Sequence, residues 1–405
     1  MKTYKVGGAV RDRLLGRAIE DTDWVVVGGT PREMEARGFK PVGADFPVFI
    51  HPQTGEEHAL ARTERKSGRG YKGFKIDSSP EVTLEQDLER RDLTINAMAE
   101  DESGGLIDPF DGQRDLRLRM LRHVSPAFAE DPLRVLRAAR FAARLDFGVA
   151  AETLELMRAI SSSGELAELA AERVWTETER ALAESRARRY FEVLRECGAL
   201  ERVFPELHAL FGVPLPAEHH PEIDSGVHTL MVLDQACRLS TDPAIRFAAL
   251  VHDLGKGTTP RDEWPSHPGH EQRGARIIGD FCARWRVPNR FRDLAVLVAR
   301  HHLDCHRIRE MRPETVLKKL ESLDAFRRPG RFEEFLLACE ADARGRTGRE
   351  AAAYPQADWF RRALAAARAI TAGAIGTSSM EGEQIAAAIR KERVAAIAVA
   401  IGTRG

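Results

Sequence analysis

Over the first 125 residues, apolar positions come in short bursts rather than at helical spacing. "WVVVGG" and "FPVFIHP" are β-branched and aromatic runs closed by turn formers, the pattern of buried strands. Short helix-like stretches such as "VRDRLLG" lie between them. This texture predicts a mixed α/β or α+β head. From about residue 130 the period changes. "LRVLRAARFAARL", "AETLELMRAISS" and "LAELAAERVWTETERALAES" repeat their apolar positions every three to four residues and contain few strand formers. The remainder stays helical, interrupted by "GVPLPAEHHPE", "TTPRDEWPSHPGH" and "RRPGR". The expected layout is a head (1–125), a helical neck (126–215), a third domain (216–330) and a helical tail (331–405). "GVPLPAEHHPEIDSG" is the best linker candidate.

Composition narrows the partners. The 405 residues carry 61 basic and 62 acidic side chains, a net charge of -1, so a nucleic acid must be met by a local basic surface. The five cysteines (Cys197, Cys237, Cys282, Cys305, Cys339) have no CxxC spacing. That argues for a reducing compartment and against a disulfide framework or a thiolate zinc site. The N-terminus lacks a signal pattern, and no stretch reaches about 18 apolar residues without a charge, so the cytoplasm is expected and a membrane partner is not.

The first chemistry lies in "IEDTDWVVVGG". If Asp23 opens a strand, alternation puts Asp21 and Asp23 on one face. Two carboxylates held together repel unless a cation lies between them, and Mg²⁺ is the hard, oxygen-seeking candidate. Such a pair suits phosphoryl transfer. Upstream, Gly7 and Gly8 separate a strand-like from a helix-like stretch. Backbone N–H groups of such a turn can approach phosphates, and Arg11, on the following helix, can meet a triphosphate oxygen.

The stretch "GGAVRDRLLGRAIEDTD" resembles the signature of class II tRNA nucleotidyltransferases and bacterial poly(A) polymerases. The resemblance implies a polymerase-β-like nucleotidyltransferase head, with Asp21 and Asp23 as metal ligands and Gly8 and Arg11 in the nucleotide site. "ERRDLTINAMA" is similar to the family motif RRDFTINA, with Leu93 in place of phenylalanine, and implies a nucleotide contact for Arg91. Asp92 or Thr94 is expected to cap a helical turn there. Glu64, in the basic, glycine-rich "ARTERKSGRGYKGF", is a candidate third carboxylate.

In "EDPLRVLRAARF" and the residues just after it, Arg134, Arg137, Arg140 and Arg144 fall on one face of a helix. They repel unless an anion lies against them, a nucleotide or RNA backbone on one reading, Glu and Asp on the other. The block is similar to the family's EDxxRxxR motif, which implies that Asp131 and Arg134 read the base edge. A carboxylate accepts from the exocyclic amine that cytosine and adenine both carry. Arg137 and Arg140 are assigned to the triphosphate.

A second constellation follows. "LVHDLGKGTTP" sets His252 beside Asp253 at an expected helix end, with His228 upstream and His270, His301, His302, Asp304 and His306 downstream. Imidazoles with a carboxylate suit divalent ions such as Ni, Mn, Zn or Mg. The pattern resembles HD-domain phosphohydrolases, implying metal ligands His228, His252 and Asp253, with His252 and Asp253 catalytic. His302 is the chosen late ligand, with Asp304 or His270 as alternatives. Ni²⁺ is among the candidate transition metals.

Together the two halves resemble bacterial class II tRNA nucleotidyltransferases fused to an HD domain, over roughly residues 1–350. The resemblance implies template-independent addition of CCA to the tRNA acceptor arm from CTP and ATP, with Mg²⁺ in the head. It also implies 2′,3′-cyclic phosphodiesterase, 2′-nucleotidase and phosphatase activity in the HD domain, in a monomer or homodimer. A poly(A) polymerase and a protein-uridylylating enzyme with an HD domain are the alternatives.

Overall fold

The computed structural model describes residues 1–19, 21–42, 48–66, 74–218, 220–375 and 381–402. The chain divides into two compact units, residues 1–181 with 189–203, and residues 182–188 with 204–405.

The first unit opens with a seven-stranded sheet. Its strands are β1 (Lys2–Val6), β2 (Asp23–Val27), β3 (Lys40–Val42), β4 (Val48–Ile50) and β5 (Glu57–Leu60). A separate antiparallel pair, β6 (Thr63–Lys66) and β7 (Phe74–Asp77), precedes its last members, β8 (Ala99–Glu100) and β9 (Leu106–Ile107). The sheet order is β3-β4-β5-β2-β1-β8-β9. Strand β2 is therefore central, antiparallel to β1 and parallel to β5. Its valines point alternately to two cores. Val25 packs with Val6, Leu88 and Ala99 on one face, and Val26 with Met34, Phe49 and Leu60 on the other. A strand covered on both faces reads as an unbroken apolar run, which is why "WVVV" carries no alternation.

Helices α1 (Gly8–Leu14), α2 (Pro31–Ala36), α3 (Leu84–Glu89) and α4 (Gly112–Leu118) belong to this head. Thr30 and Thr83 start α2 and α3 with complete capping boxes. The expected caps at Asp92 and Thr94 are not made. The 3₁₀ turn Thr94–Asn96 has no side-chain cap; Asp92 accepts from the neighbouring Leu93 N–H, and the Thr94 hydroxyl donates to Asp115. In "ARTERKSGRGYKGF", β6 and β7 flank residues 67–73, which lie outside the described residues, as does the Glu64 side chain. A parallel bridge of β10 (Met120–Leu121) with β11 (Gly148–Val149) ties the head to α5 (Leu133–Leu145). Then follow α6 (Ala151–Ser162), α7 (Ala171–Ala183), α8 (Ala187–Glu196) and α9 (Ala199–Val203).

The second unit is helical: α10 (Pro205–His208), α11 (Ser225–Leu239), α12 (Pro243–Val251), α13 (His270–Arg284), α14 (Asn289–His306), α15 (Pro313–Ser322), α16 (Pro329–Arg344), α17 (Pro355–Ala369) and α18 (Gly382–Ile401). Helices α11, α12, α14 and α16 pack mutually, so the segment expected as a tail supplies a helix to the centre of this unit. The linker candidate is not a free connector, since Val213 and Leu215 are buried and Pro214 forms a β-bridge with Asp224. All five cysteines are free thiols. Among the described residues, no helix is long and apolar enough to cross a membrane.

Candidate active sites

The first site lies where β1 ends and β2 begins. Val6 pairs with Asp23, and the chain then turns through Gly7 into α1. Gly7 has φ 67°, and a Cβ there would lie 2.9 Å from Arg91 Nη1. The motif glycine is thus needed twice, for its left-handed backbone and for the close guanidinium. Asp21 and Asp23 are both exposed, whereas Val25 and Val26 behind them are buried. The buried strand fixes the acid while its carboxylate faces solvent. One detail differs from expectation: β2 starts at Asp23, so Asp21 sits in the preceding loop and strand alternation does not set its direction. Two hard carboxylates at a glycine turn suit a hard divalent cation. Among the described residues no third metal-binding side chain is grouped with them.

Arg91 is held beside that turn by Asp87 Oδ2 (3.2 Å) and the Asn96 carbonyl (3.4 Å), yet its buried Nε has no partner. Asp87 is fully buried; burial pushes its carboxyl up, but Arg91 and Arg90 outweigh this and hold it below the usual range.

From here a ladder of charged groups runs into the neck. Arg11 donates Nε and Nη2 to Asp12 (2.8 Å each) and Nη1 to Asn96 Oδ1 (2.6 Å). Asn96 donates to Asp92 Oδ1 (3.1 Å), and Arg137 Nε donates to Asp92 Oδ2 (2.8 Å). Arg140 Nε meets Glu177 Oε2 at 2.5 Å, and Arg144 reaches Asp12 at 3.1 Å. Phe141 carries the guanidiniums of Arg11 and Arg140 at 5.1 and 4.5 Å from its ring centre. Three of the four α5 arginines, Arg137, Arg140 and Arg144, thus meet carboxylates of the chain itself, whereas Arg134 donates to backbone carbonyls. Pairing with Glu and Asp accounts for part of the row, and the guanidiniums still outnumber the carboxylates that meet them. Burial raises the Asp92 carboxyl, but Arg137 and the Asn96 hydrogen bond prevail and hold it far below the ordinary range.

The two base-reading candidates sit at the start of α5. Arg134 donates to the carbonyls of Ala127 (2.9 Å) and Arg90 (2.6 Å). Asp131 accepts from Arg173 (2.7 Å) and from the Leu133 N–H (3.1 Å). Asp12, Asp92, Glu177 and Arg173 were not singled out from the sequence as parts of this site. Glu177 sits in "VWTETERA", where it looks like any helix-surface glutamate.

The second site lies within the helical unit. His252 is the C-cap of α12, as expected for "HDLGK", and Asp253 follows it. A Cβ at Gly255 would lie 2.0 Å from the His270 carbonyl oxygen. Only glycine lets the start of α13 come this close, and that approach delivers His270 to Asp253. His228 comes from α11, His302 from α14 and Asp342 from α16. All six side chains are buried.

Their protons can be placed from their partners. Nδ1 of His252 meets the Ala249 carbonyl (2.7 Å), that of His270 the His267 carbonyl (2.8 Å), that of His302 the Val298 carbonyl (3.1 Å) and that of His228 the Gly345 carbonyl (3.0 Å). A carbonyl only accepts, so each Nδ1 carries the hydrogen and each neutral ring offers a bare Nε2. These nitrogens face carboxylates. His252 Nε2 is 3.2 Å from Asp253 and 3.6 Å from Asp342, His228 Nε2 is 3.1 Å from Asp342, and His270 Nε2 is 3.3 Å from Asp253. Acceptors aimed at acceptors are relieved by a positive charge between them, either a cation or a second proton on the ring. The buried Nε2 of His252 and His270 and Oδ1 of Asp253 accordingly have no hydrogen-bond partner. Burial lowers the pKa of His252, but Asp253 and Asp342 more than reverse this, a measure of how strongly the two carboxylates favour a positive charge at that ring. Burial pushes His302 down to about 3, a neutral ligand at physiological pH. Three or more donor atoms converge in several overlapping groups of these residues, which fits a divalent metal.

Of the late-ligand candidates, the structure brings both His302 and His270 into the cluster and leaves Asp304 out. Asp304 pairs with His301 (2.9 Å) and Lys319 (2.5 Å). The acid missed from the sequence is Asp342, in the stretch "EADARGRTG". Lys256, 2.6 Å from Asp253, and Glu222, 3.0 Å from His228 Nδ1, also join the site.

Comparison with known proteins adds three family matches. Residues 3–122 match the Poly A polymerase head domain, 146–211 the "probable RNA and SrmB- binding site of polymerase A", and 226–328 the HD domain. A multifunctional CCA protein of Nitrosococcus oceani is 60% identical over 403 residues, covering 100% of this chain and 99% of the relative. That of Thioalkalivibrio sulfidiphilus is 62% identical over 400 residues, covering 98% of each. Among solved structures, the Bacillus stearothermophilus CCA-adding enzyme in complex with CTP is 25% identical with a TM-score of 0.61, covering 99% of this chain and 89% of that one. The Thermotoga maritima CCA-adding enzyme complexed with tRNA shares the fold at 19% identity and a TM-score of 0.63, covering 100% and 88%.

Proposed function

The chain belongs to the multifunctional CCA protein family, a CCA-adding enzyme with an HD domain, and from that premise we propose that it builds and repairs the 3′-terminal CCA of tRNA from CTP and ATP, releasing pyrophosphate. The observation that carries this reading is the exposed Asp23, opposite Val6 where the chain turns through Gly7 against Arg91, with the exposed Asp21 two residues before it. The tRNA 3′-hydroxyl attacks the α-phosphorus in line with the leaving pyrophosphate. Asp21 and Asp23 would hold Mg²⁺, which when bound screens the phosphate charge and favours the alkoxide. Backbone N–H at Gly8 and the guanidiniums of Arg11, Arg91, Arg137 and Arg140 hold the triphosphate. Arginine has five N–H groups, so Arg11, Arg137 and Arg140 keep donors beyond those spent on Asp12, Asn96, Asp92 and Glu177. Arg91 brings its unpartnered Nε. Their internal carboxylates fix the arginines in position before the nucleotide arrives, which is how preorganised electrostatics works.

Asp131 and Arg134 read the base edge. Each exchanges an internal partner, Arg173 for Asp131 and two carbonyls for Arg134, for the amine and acceptors shared by cytosine and adenine. No nucleic-acid template is needed. The tRNA acceptor arm is held by shape and phosphate contacts, and the cytoplasm is where such a substrate is met.

The HD domain is proposed as a phosphohydrolase of phosphomonoesters, 2′-nucleotides and 2′,3′-cyclic phosphates. His228, His252, Asp253, His302 and Asp342 would hold a divalent ion, with Ni²⁺ and Mn²⁺ as candidates; when bound, it supplies an activated water and a Lewis acid. Lys256 offers a cation to the phosphate. Incubation with tRNA lacking its 3′ end and each nucleoside triphosphate, followed by sequencing, tests the main reading. Products ending in CCA support it, whereas a long A tail or transfer of UMP to protein would support a poly(A) polymerase or a uridylylating enzyme.

A further inference from the structure

Asp342 presents one oxygen to the cluster and turns the other away from it. Oδ1 faces His228 and His252, whereas Oδ2 receives His306 Nε2 at 2.7 Å. A carboxylate only accepts, so His306 Nε2 carries the proton and Nδ1 is left as an acceptor. That acceptor lies 2.8 Å from the Tyr354 hydroxyl. Tyr354 is buried, precedes α17 as its N-cap residue, and lies 3.3 Å from Cys305 Sγ. Burial pushes its hydroxyl far above the ordinary range, so it keeps the proton to donate. The chain of contacts runs Tyr354, His306, Asp342, with the one Tyr354 O–H shared between the shorter contact to His306 Nδ1 and the longer one to Cys305 Sγ.

We propose that His306 and Tyr354 are positioning residues for the HD site: they fix the rotamer of Asp342 and so aim its Oδ1 at the bound divalent ion. The inference rests on the reading of the cluster as a metal site. It also gives a role to the segment "AAAYPQADWF", which lies beyond the matched HD domain. Without the two hydrogen bonds, the carboxylate is free to rotate or to swing its second oxygen inward. A ligand that must be ordered on binding costs affinity, and outer partners of metal ligands are worth ~10–100-fold.

The test is titration of the full chain carrying Asp21→Ala and Asp23→Ala, which takes out the carboxylates of the head, stripped of metal, with Mn²⁺ followed by electron paramagnetic resonance, alongside urea midpoints of the metal-free proteins. Expected results are a ~10–100-fold loss of Mn²⁺ affinity for His306→Ala and a loss of about tenfold for Tyr354→Phe. His306→Gln should recover part of the loss, because its amide N–H still donates to Oδ2. A weaker, broadened zero-field pattern at saturation should accompany both losses, which a purely structural role would not produce. Mn²⁺ affinities within about twofold of the parent chain, with only the urea midpoints lowered, would overturn the inference. His252→Ala separates the two levels: unchanged Mn²⁺ binding in that variant removes the metal reading itself, whereas loss there with none in His306→Ala or Tyr354→Phe sinks only the positioning role.

Discussion

Arg140 Nε and Glu177 Oε2 meet at 2.5 Å with both side chains buried. Part of a helix face that looks from the sequence like a cradle for an outside anion is thereby already paired within the chain. This changes what its loss should do. Removing one partner of a buried pair leaves a charge uncompensated, a cost of about 3–5 kcal/mol, whereas surface pairs are worth under about 1 kcal/mol. Glu177→Ala should therefore lower the urea midpoint of the first unit strongly, while Glu321→Ala, which frees the exposed Arg390, should leave stability nearly unchanged. Urea unfolding followed by tryptophan fluorescence reads both.

The Asp92–Arg137 pair makes a pH-dependent contribution. The folded Asp92 carboxyl lies below its ordinary value because Arg137 and Asn96 together outweigh burial. A depressed acid stabilises the fold at pH above its unfolded pKa of about 4, and the contribution fades as pH falls toward the folded value. The stability gap between the parent chain and Asp92→Asn should be widest near pH 7 and shrink steadily below about pH 4. A gap that widens on acidification would contradict the pairing.

Gly7→Ala should abolish most nucleotidyl transfer while leaving the HD reaction intact. The new Cβ meets Arg91 Nη1 at 2.9 Å on a backbone of φ 67°, a strain of about 1–3 kcal/mol. The defect should show mainly as a raised KM for CTP and ATP, since Arg91 and the turn are nucleotide contacts. Gly16→Ala, also at positive φ but with open space around it, serves as the comparison.

How far the sequence could lead depended on range. "WVVVGG" and the helical period after residue 130 are local signals, and the sheet and the helical body follow from them. The D-x-D pair, "RRDLTIN" and "HDLGK" were readable because their residues are close in sequence. Asp342 was not, since it meets His252 from 90 positions away and looks like one polar residue on an amphipathic helix. Glu177, and the reach of Asp12 to Arg144, were missed for the same reason: an ion pair between distant helices leaves no periodic trace. The late-ligand choice shows the limit. His302 and Asp304 are two residues apart on α14, and only the direction of each around the helix separates the cluster member from the partner of Lys319.

Metal removal should soften the second unit. A ligand at about 100 times its Kd stabilises the fold by about 2.7 kcal/mol. Chelation should lower the melting temperature of the HD-containing unit, Mn²⁺ or Ni²⁺ should restore it, and Mg²⁺ should do so less well because imidazole suits the softer ions. Differential scanning calorimetry with and without chelator measures this. His252→Ala should melt at one temperature in either condition.

The most direct test is a crossed inactivation. Asp23→Ala and His252→Ala are each assayed for CTP and ATP incorporation into tRNA lacking its 3′ end, and for hydrolysis of a 2′,3′-cyclic nucleotide. The account predicts that Asp23→Ala loses incorporation by about a hundred- to a thousandfold, the scale of a lost electrostatic catalytic group, and keeps hydrolysis, and that His252→Ala does the reverse. Full incorporation by Asp23→Ala, or loss of both reactions in either folded variant, would contradict it.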